Sequence, residues 1–234
     1  MTDEKDFETY LYLSNNKFKI FLFDKKNTKN LFQENIIIKN NYDLIDFTEL
    51  TKFLDKNIFK IEKLIGTFIK NIFLIIDNKD NLIIHLGNKK KIENKINKER
   101  LKNILIKLKN LINENYKDQT IMHILLNKQL VYEDNETSLI EIDADIDYQH
   151  LEVSFITLSN HLIINLNKIL QEYQIKISKF TDGEYVKNFF NDQEIELSLA
   201  THKLINGFND NEVIIVPKST ENKGFFERFF NFFN

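Results

Sequence analysis

Histidines and acidic residues are the side chains with which this chain could bind a metal or catalyse a reaction. The five histidines lack the close spacing that is typical of a zinc site. They are His85, His123, His150, His161 and His202. No serine lies in a pattern typical of a nucleophile elbow. We therefore predict that the chain is not an enzyme and has no catalytic residue, no metal ligand and no cofactor-binding residue.

An acidic run, Asp143-x-Asp145-x-Asp147, is similar to the start of a calcium-binding loop. Such a loop needs Gly at its sixth position and Glu at its twelfth, and here these positions are Tyr148 and Ser154. The run is therefore interpreted as a solvated loop before a strand.

Phenylalanines near the C-terminus form the most informative pattern. They lie at i, i+1, i+4, i+5, i+7 and i+8: Phe225, Phe226, Phe229, Phe230, Phe232 and Phe233. At about 100° per residue they share an arc of roughly 160°, while Arg228 lies on the opposite arc. The helix from Gly224 to Asn234 would be only ~16 Å long, too short to cross a bilayer. We predict that it binds a membrane surface through its phenylalanines, with a minor contribution from Arg228; docking on the protein's own core is the alternative.

Composition limits the classes of function. The chain has 234 residues, 42% of them hydrophobic, which is enough for one or two domains with a real core. The net charge of −3 argues against a nucleic-acid surface, and the absence of cysteine excludes disulfides. Residues 1–6 are polar and lack the apolar stretch of a signal peptide. We expect a cytoplasmic protein that is attached to a surface only through its C-terminal helix.

Hydrophobic periodicity predicts helices alternating with strands. Strands are predicted at 8–14, 17–24, 33–38, 72–76, 82–86, 120–126, 150–157 and 174–180. Helices are predicted at 47–65, 97–115, 160–173, 183–190 and 194–206. The helices at 97–115 and 160–173 are expected to pack on one sheet. This order predicts an α+β fold.

Several stretches, in collinear order, resemble the FtsA family of actin-like bacterial cell-division proteins. They are Asp43–Asp46, Met122-His123 with Leu125–Asn127 and Val131–Asp134, Leu151–Val153 with Ile156-Thr157, Asn165–Lys168, and Leu197–Thr201. The Phe-rich segment lies where the family has its membrane-targeting helix.

The chain departs from the family at its phosphate motif. The family's motif "L-D-I-G-T-S-K-I" corresponds to residues 13–20, where Ser14 replaces the Asp and Asn16 replaces the Gly. A second actin lobe, which in the family follows the inserted subdomain, is missing, because Phe180 leads within about fifteen residues to the 197–201 helix. Since the superfamily binds nucleotide between two lobes, we expect no ATP binding.

The resemblance implies an actin-like, ribonuclease-H-like first lobe with an inserted SHS2-like subdomain and a C-terminal amphipathic helix. Its units would be residues 1–79, the insert 80–178, closing helices in 179–217, and a linker and membrane helix in 218–234. The implied role is to tether division proteins to the cytoplasmic face of the inner membrane at the division site.

Partners implied by the resemblance are the inner-membrane lipid surface and other division proteins, bound through the insert. FtsZ is a further candidate, although the family's surface for it lies largely on the missing lobe. Two alternatives stay open: an ATP-binding, polymerising actin-like protein, and an adaptor of a pilus or secretion system.

Overall fold

The structure is a computed structural model that describes residues 6–39, 44–79, 81–91, 98–133, 136–139, 148–191 and 193–214. Its strands are β1 (Phe7–Ser14), β2 (Lys17–Asp24), β3 (Lys29–Ile37), β4 (Asn71–Asp77), β5 (Leu82–Lys91), β6 (Gln119–Glu133), β7 (Glu136–Leu139), β8 (Tyr148–Ser159) and β9 (Lys176–Asp182). Its helices are α1 (Phe47–Ile65), α2 (Lys98–Asn115), α3 (Asn160–Glu172), α4 (Gly183–Phe189) and α5 (Leu197–Ile205). The fold is therefore mixed α and β.

The first sheet has five strands in the order β3-β2-β1-β4-β9. The first three strands pair antiparallel, and β4 and β9 run parallel to β1. Only Asn15 and Asn16 lie between β1 and β2, which agrees with the predicted strands at 8–14 and 17–24. Because β1, β4 and β9 are parallel, their carboxyl ends meet at one edge of the sheet.

Helices cover both faces of this sheet. On one face, α1 and α3 pack against alternate apolar residues such as Leu11, Phe18 and Leu74. On the other, α5 packs against the intervening residues, among them Tyr10, Phe21 and Ile75. Because both faces are buried there, β1, β2 and β4 are apolar at successive positions rather than only at alternate ones.

Local signals explain why α1 begins and ends where predicted. The Asp46 side chain accepts hydrogen bonds from the amides of Thr48 and Glu49, at 3.0 and 3.1 Å, which satisfies two free N–H groups of the first turn. Gly66 follows the helix with φ of 74°, in the left-handed region that terminates helices.

The second sheet has four antiparallel strands in the order β5-β8-β6-β7. Helix α2 covers one face, where Leu105 and Leu108 pack with Val153 and Phe155. The second sheet is connected to the first at two points of the chain. One is the β4–β5 connection, and the other is the end of β8, which runs directly into α3.

The prediction that the helices at 97–115 and 160–173 share one sheet is wrong. Leu101, Ile104, Leu105 and Leu108 of α2 pack on the second sheet, but Leu162, Leu166 and Ile169 of α3 pack on the first. The cause is the topology: β9 follows α3 and pairs with β4, so α3 must lie on the first sheet. The unit boundaries at residues 79, 178 and 217 remain predictions.

Candidate functional site

Three polar residues lie at the edge where β1, β4 and β9 end. Ser14 is the partner of Asp77 in the β1–β4 register, and Asp182 is the partner of Ile76 in the β4–β9 register. Ligands of sheets with parallel strands commonly bind at this kind of edge, outside the carboxyl ends of the strands. It is also where the resemblance would place phosphate.

The turn between β1 and β2 is closed by its own side chains. Ser14 is buried, and its hydroxyl lies within hydrogen-bonding distance of two acceptors, Asn16 Oδ1 at 3.0 Å and the Lys17 carbonyl at 3.1 Å. The Asn16 carbonyl accepts a hydrogen bond from the amide of Ile38, at 2.8 Å, which attaches the turn to the end of β3. The Ser14 hydroxyl, the Asn16 side-chain oxygen and the Asn16 carbonyl are thus engaged at the turn.

Asp77 is neutralised by a cation from the chain itself. Its carboxylate forms an ion pair with Lys187 of α4 and accepts a hydrogen bond from the Tyr12 hydroxyl at 2.5 Å. Lys187 also donates to the Tyr12 hydroxyl, at 3.2 Å, and its ammonium lies 5.2 Å from the Tyr12 ring centroid. Asp77, Tyr12 and Lys187 are called the edge cluster below.

The ionisation of the edge cluster follows from these contacts. Burial raises the pKa of Tyr12, and its hydrogen bond to Asp77 raises it further. Burial alone would lower the pKa of Lys187, but its hydrogen bonds to Asp77 and Tyr12 outweigh burial and raise this pKa. Lys187 therefore stays charged and Tyr12 stays neutral, so the edge cluster holds a proton donor and a cation against one carboxylate.

Glycine at position 183 allows α4 to approach the edge closely. A Cβ atom at this position would lie 2.8 Å from Cβ of Asp77, closer than side-chain atoms normally pack. The Asp182 carboxylate caps the helix by accepting a hydrogen bond from the amide of Tyr185, at 2.7 Å. This approach brings Lys187, one turn further along α4, onto Asp77.

A buried polar network joins the two sheets. His123 of β6 accepts a hydrogen bond at Nε2 from the amide of Asp182, at 3.0 Å, and its Nδ1 lies 2.8 Å from Glu212. Nδ1 therefore carries the proton and donates it to the carboxylate. The Tyr185 hydroxyl lies 3.2 Å from the other Glu212 oxygen and accepts from Asn209 at 2.7 Å. With both ring nitrogens engaged, His123 serves as a structural link.

The carboxyl of Glu212 is ionised in this network. Burial opposes ionisation, but the hydrogen bonds from His123 and Tyr185 and the charge of Lys179 outweigh it and lower the pKa of Glu212. The backbone on either side pairs with β6: the Leu126 amide donates to the Asn211 carbonyl at 2.9 Å, and the Val213 amide to the Ile124 carbonyl at 2.8 Å. The described chain thus ends on the second sheet, although α5 packs on the first.

An exposed aromatic surface lies beside this network. Phe190 is buried and stacks on Phe208, with ring centroids 5.7 Å apart, while Phe189 meets both rings edge-on. Phe189 is 37% exposed and Phe208 is 53% exposed. The ammonium of Lys203 lies 5.1 Å from the Phe208 centroid. Phe189, Phe190, Phe208 and Lys203 are called the aromatic patch.

The residues singled out from sequence fall in different places. The residues predicted to bind membrane lie outside the described residues: Phe225, Phe226, Arg228, Phe229, Phe230, Phe232 and Phe233. The acidic run Asp143, Asp145 and Asp147 also lies outside them. His85 contacts Ser154 at 2.7 Å, His161 contacts Asn165 at 3.3 Å and His202 contacts Glu8 at 2.7 Å. Within the described ranges, no helix is long and apolar enough to cross a membrane.

Sequence analysis missed the edge cluster and the aromatic patch. One signal was available for the first: Asp77 directly follows the predicted strand 72–76, and Asp182, with a glycine after it, lies two residues beyond the predicted strand 174–180. The pairing of Lys187 with Asp77 depends on residues 110 positions apart, which no local pattern reveals.

Comparison with known proteins yields structural similarity only. No protein-family model matches the chain, and no curated protein matches its sequence. One similar structure is a PilM–PilN type IV pilus biogenesis complex, at a TM-score of 0.49 and 7% identity, covering 78% of this chain and 49% of that one. The chain thus spans about half the length of that protein.

Two further similar structures have lower TM-scores. A Bacteroides thetaiotaomicron protein with an actin-like ATPase fold and unknown function matches at 0.34 and 16% identity, over 83% of this chain and 61% of that one. The other is the cytoplasmic domain of EpsL, an inner-membrane component of the type II secretion system of Vibrio cholerae. Its TM-score is 0.35 and its sequence identity 8%, and the match covers 75% of this chain and 57% of that one. At these scores the similarity assigns neither a family nor a function.

Proposed function

We propose that this chain is a non-enzymatic adaptor that holds proteins of a membrane-associated assembly at the cytoplasmic face of the inner membrane. The observation that carries the proposal is the ion pair between Lys187 and Asp77 at the edge where β1, β4 and β9 end. A carboxylate at the carboxyl ends of parallel strands could hold a metal ion or contact a substrate if it were unpaired. Here the chain's own ammonium occupies it.

The neighbouring turn supports the same conclusion. Phosphate binding at a turn depends on backbone amides that a ligand can approach, and glycine is the residue that permits the approach. Asn16 stands at that position, and its side chain contacts the Ser14 hydroxyl. At this edge, Lys187 is paired with Asp77, and the Asn16 side chain occupies the turn where a phosphate would approach the backbone.

The finer architecture belongs to this proposal. The first sheet with α1 and α3 would be the actin-like lobe, and the second sheet with α2 would be the SHS2-like insert that contacts partner proteins. The Phe-rich residues 225–233 would bind the membrane.

Two assemblies are candidates for the setting. A pilus or secretion system is the first, since two of the similar structures are of proteins from such systems, and the divisome is the second, from the motif resemblance. Capture from cross-linked cells, with tagged full chain, distinguishes them by the proteins recovered. Recovery of division proteins without pilus or secretion components would favour the divisome.

Calorimetry with ATP and Mg²⁺ tests the closed edge. We expect no saturable heat in the micromolar range for the full chain. Lys187→Met is the informative companion, because it leaves Asp77 without its cation. Saturable binding by the unaltered chain would contradict the proposal, and a change in affinity in Lys187→Met would place that binding at this edge.

Vesicle flotation tests the membrane part of the proposal. Phe226→Glu with Phe229→Glu should abolish flotation, because two charges would enter the apolar boundary region. Arg228→Gln should retain it, since one basic residue near an anionic surface contributes only about 1 kcal/mol. A double Glu variant that still floats would exclude the segment as the anchor.

A further inference from the structure

The aromatic patch exposes rings that a monomer would normally cover. Phe189 and Phe208 are 37% and 53% exposed, and their centroids lie 6.2 Å apart. Buried Phe190 contacts both rings, with centroids 5.0 Å from Phe189 and 5.7 Å from Phe208. Exposed rings in mutual contact on a packed base are typical of a surface that binds an apolar partner.

We propose that the aromatic patch is the docking site for the chain's own Phe-rich residues 225–233 when no membrane is present. The inference deepens the proposed function, because it assigns the membrane anchor a second, competing site on the protein. The anchor would exchange between the patch and the lipid surface.

The distance along the chain permits this contact. Phe208 precedes Ile214 by six residues, so their Cα atoms are at most ~22 Å apart. Eleven further residues join Ile214 to Phe225 and can span up to ~36 Å. The segment can therefore reach the patch while Val213 stays hydrogen-bonded to Ile124.

The chemistry of the patch suits a phenylalanine-rich occupant. Phe189 and Phe208 present ring edges and faces that further rings can stack on or meet edge-on. Lys203 lies within cation–π distance of Phe208 and Phe190, at 5.1 and 5.9 Å, and an ammonium so placed also attracts the face of an incoming ring. The segment itself must cover six phenylalanines when it leaves the membrane.

Other exposed phenylalanines provide a contrast. Phe59 and Phe68, on and just after α1, are 72% and 77% exposed. In the described part of the chain, neither makes a ring contact with another aromatic residue. They lack the packed base of Phe190 and therefore serve as matched controls.

Docking would weaken membrane binding by mass action. Vesicles bind only the undocked fraction, so the apparent affinity falls by the factor by which docking depletes that fraction. Phe189→Ser with Phe208→Ser should therefore strengthen binding to phosphatidylcholine vesicles, whereas Phe59→Ser with Phe68→Ser should leave it unchanged.

Fluorescence measures docking directly, because the chain has no tryptophan. Phe229→Trp in the full chain supplies a single reporter in the segment. Without lipid, we expect its emission at shorter wavelength than in urea, a shift to longer wavelength on adding Phe189→Ser with Phe208→Ser, and no shift on adding Phe59→Ser with Phe68→Ser.

Each other outcome overturns the proposal. Emission equal to that in urea means that the segment is not docked. Short-wavelength emission that is insensitive to the patch substitutions means that it docks elsewhere. A spectrum that changes on dilution means that it docks on a second copy. All three readings are taken without lipid, so they are independent of whether the segment binds membranes in the flotation experiment.

Discussion

The two sheets are covered differently. The five-stranded sheet is buried on one face by α1 and α3 and on the other by α5, so residues 10–13 of β1 are all buried. The four-stranded sheet is covered by α2 on one face. On its other face, α4 and α5 pack around Ile156, and further along His85 and Ser154 form a polar contact.

This difference separates a sheet that holds both ends of a chain segment from the sheet that this segment forms. The second sheet begins at β5, shortly after β4, and its strand β8 leads into α3, so both ends of the segment are held by the first sheet. When the second sheet opens locally, the first sheet still holds these ends and loses only the apolar contacts that residues such as Met122 make with it. The reverse does not hold, because loss of the first sheet frees both ends of the second sheet and raises the entropic cost of closing it.

Core truncations should give the largest effects and test this asymmetry. Phe18→Ala removes a fully buried ring that packs on Phe53 and should lower the free energy of unfolding by about 3–5 kcal/mol. Hydrogen exchange should then rise in both sheets. Leu105→Ala should cost about 2–5 kcal/mol and raise exchange chiefly in β5, β6 and β8.

The control for these truncations is Phe59→Ala, which should change stability by no more than about 0.5 kcal/mol, because this ring is largely exposed. If Leu105→Ala raised exchange in β1 and β2 as much as in β6, the sheets would form one cooperative unit and the asymmetry would be refuted.

A smaller effect is expected at the approach of α4 to β4. Gly183→Ala places a methyl group 2.8 Å from Cβ of Asp77 and should cost about 1–3 kcal/mol in urea unfolding. Gly66→Asn is a suitable comparison, since Asn tolerates a left-handed backbone and nothing lies within 4 Å, so its cost should stay near 0.5 kcal/mol. Equal costs would mean that α4 is not held tightly at the edge.

The smallest effect concerns the junction of the sheets and depends on pH. The pKa of Glu212 is lowered in the folded state, so its carboxylate stabilises the fold above the unfolded pKa of about 4.3. This contribution disappears as pH falls through the lower, folded pKa. Glu212→Gln should cost about 1 kcal/mol at pH 7 and nothing at pH 2, measured by urea unfolding at both values. A cost that persists at pH 2 would reflect packing rather than charge.

Local patterns in the sequence predicted most helices and strands but not their arrangement. Asp46 and Gly66 carry the capping signals of α1, and its bounds were predicted to the residue. The short strand β7 was missed, and β6 was predicted to end at 126 although it continues to Glu133. Four residues of β7 offer too few positions for an alternating pattern.

Contacts between distant residues account for what could not be predicted. Whether α3 covers the first or the second sheet depends on the pairing of β9 with β4, and hydrophobic periodicity is the same in both cases. The edge cluster likewise joins Tyr12, Asp77 and Lys187 from three separate elements. Asn16, which corresponds to the phosphate Gly of the resemblance, contacts Ser14 in the turn between β1 and β2.

The pairing of residues 211–213 with β6 has a mechanical consequence. Tension applied to the chain beyond Ile214 would reach the four-stranded sheet before it reached α5, through the Asn211–Leu126 and Val213–Ile124 hydrogen bonds. Glu212 lies between these two residues, and its carboxylate accepts hydrogen bonds from His123 and Tyr185. These hydrogen bonds must break when the segment separates from β6. Force from a bound surface would thus act first on the junction between the two sheets and not on the five-stranded sheet.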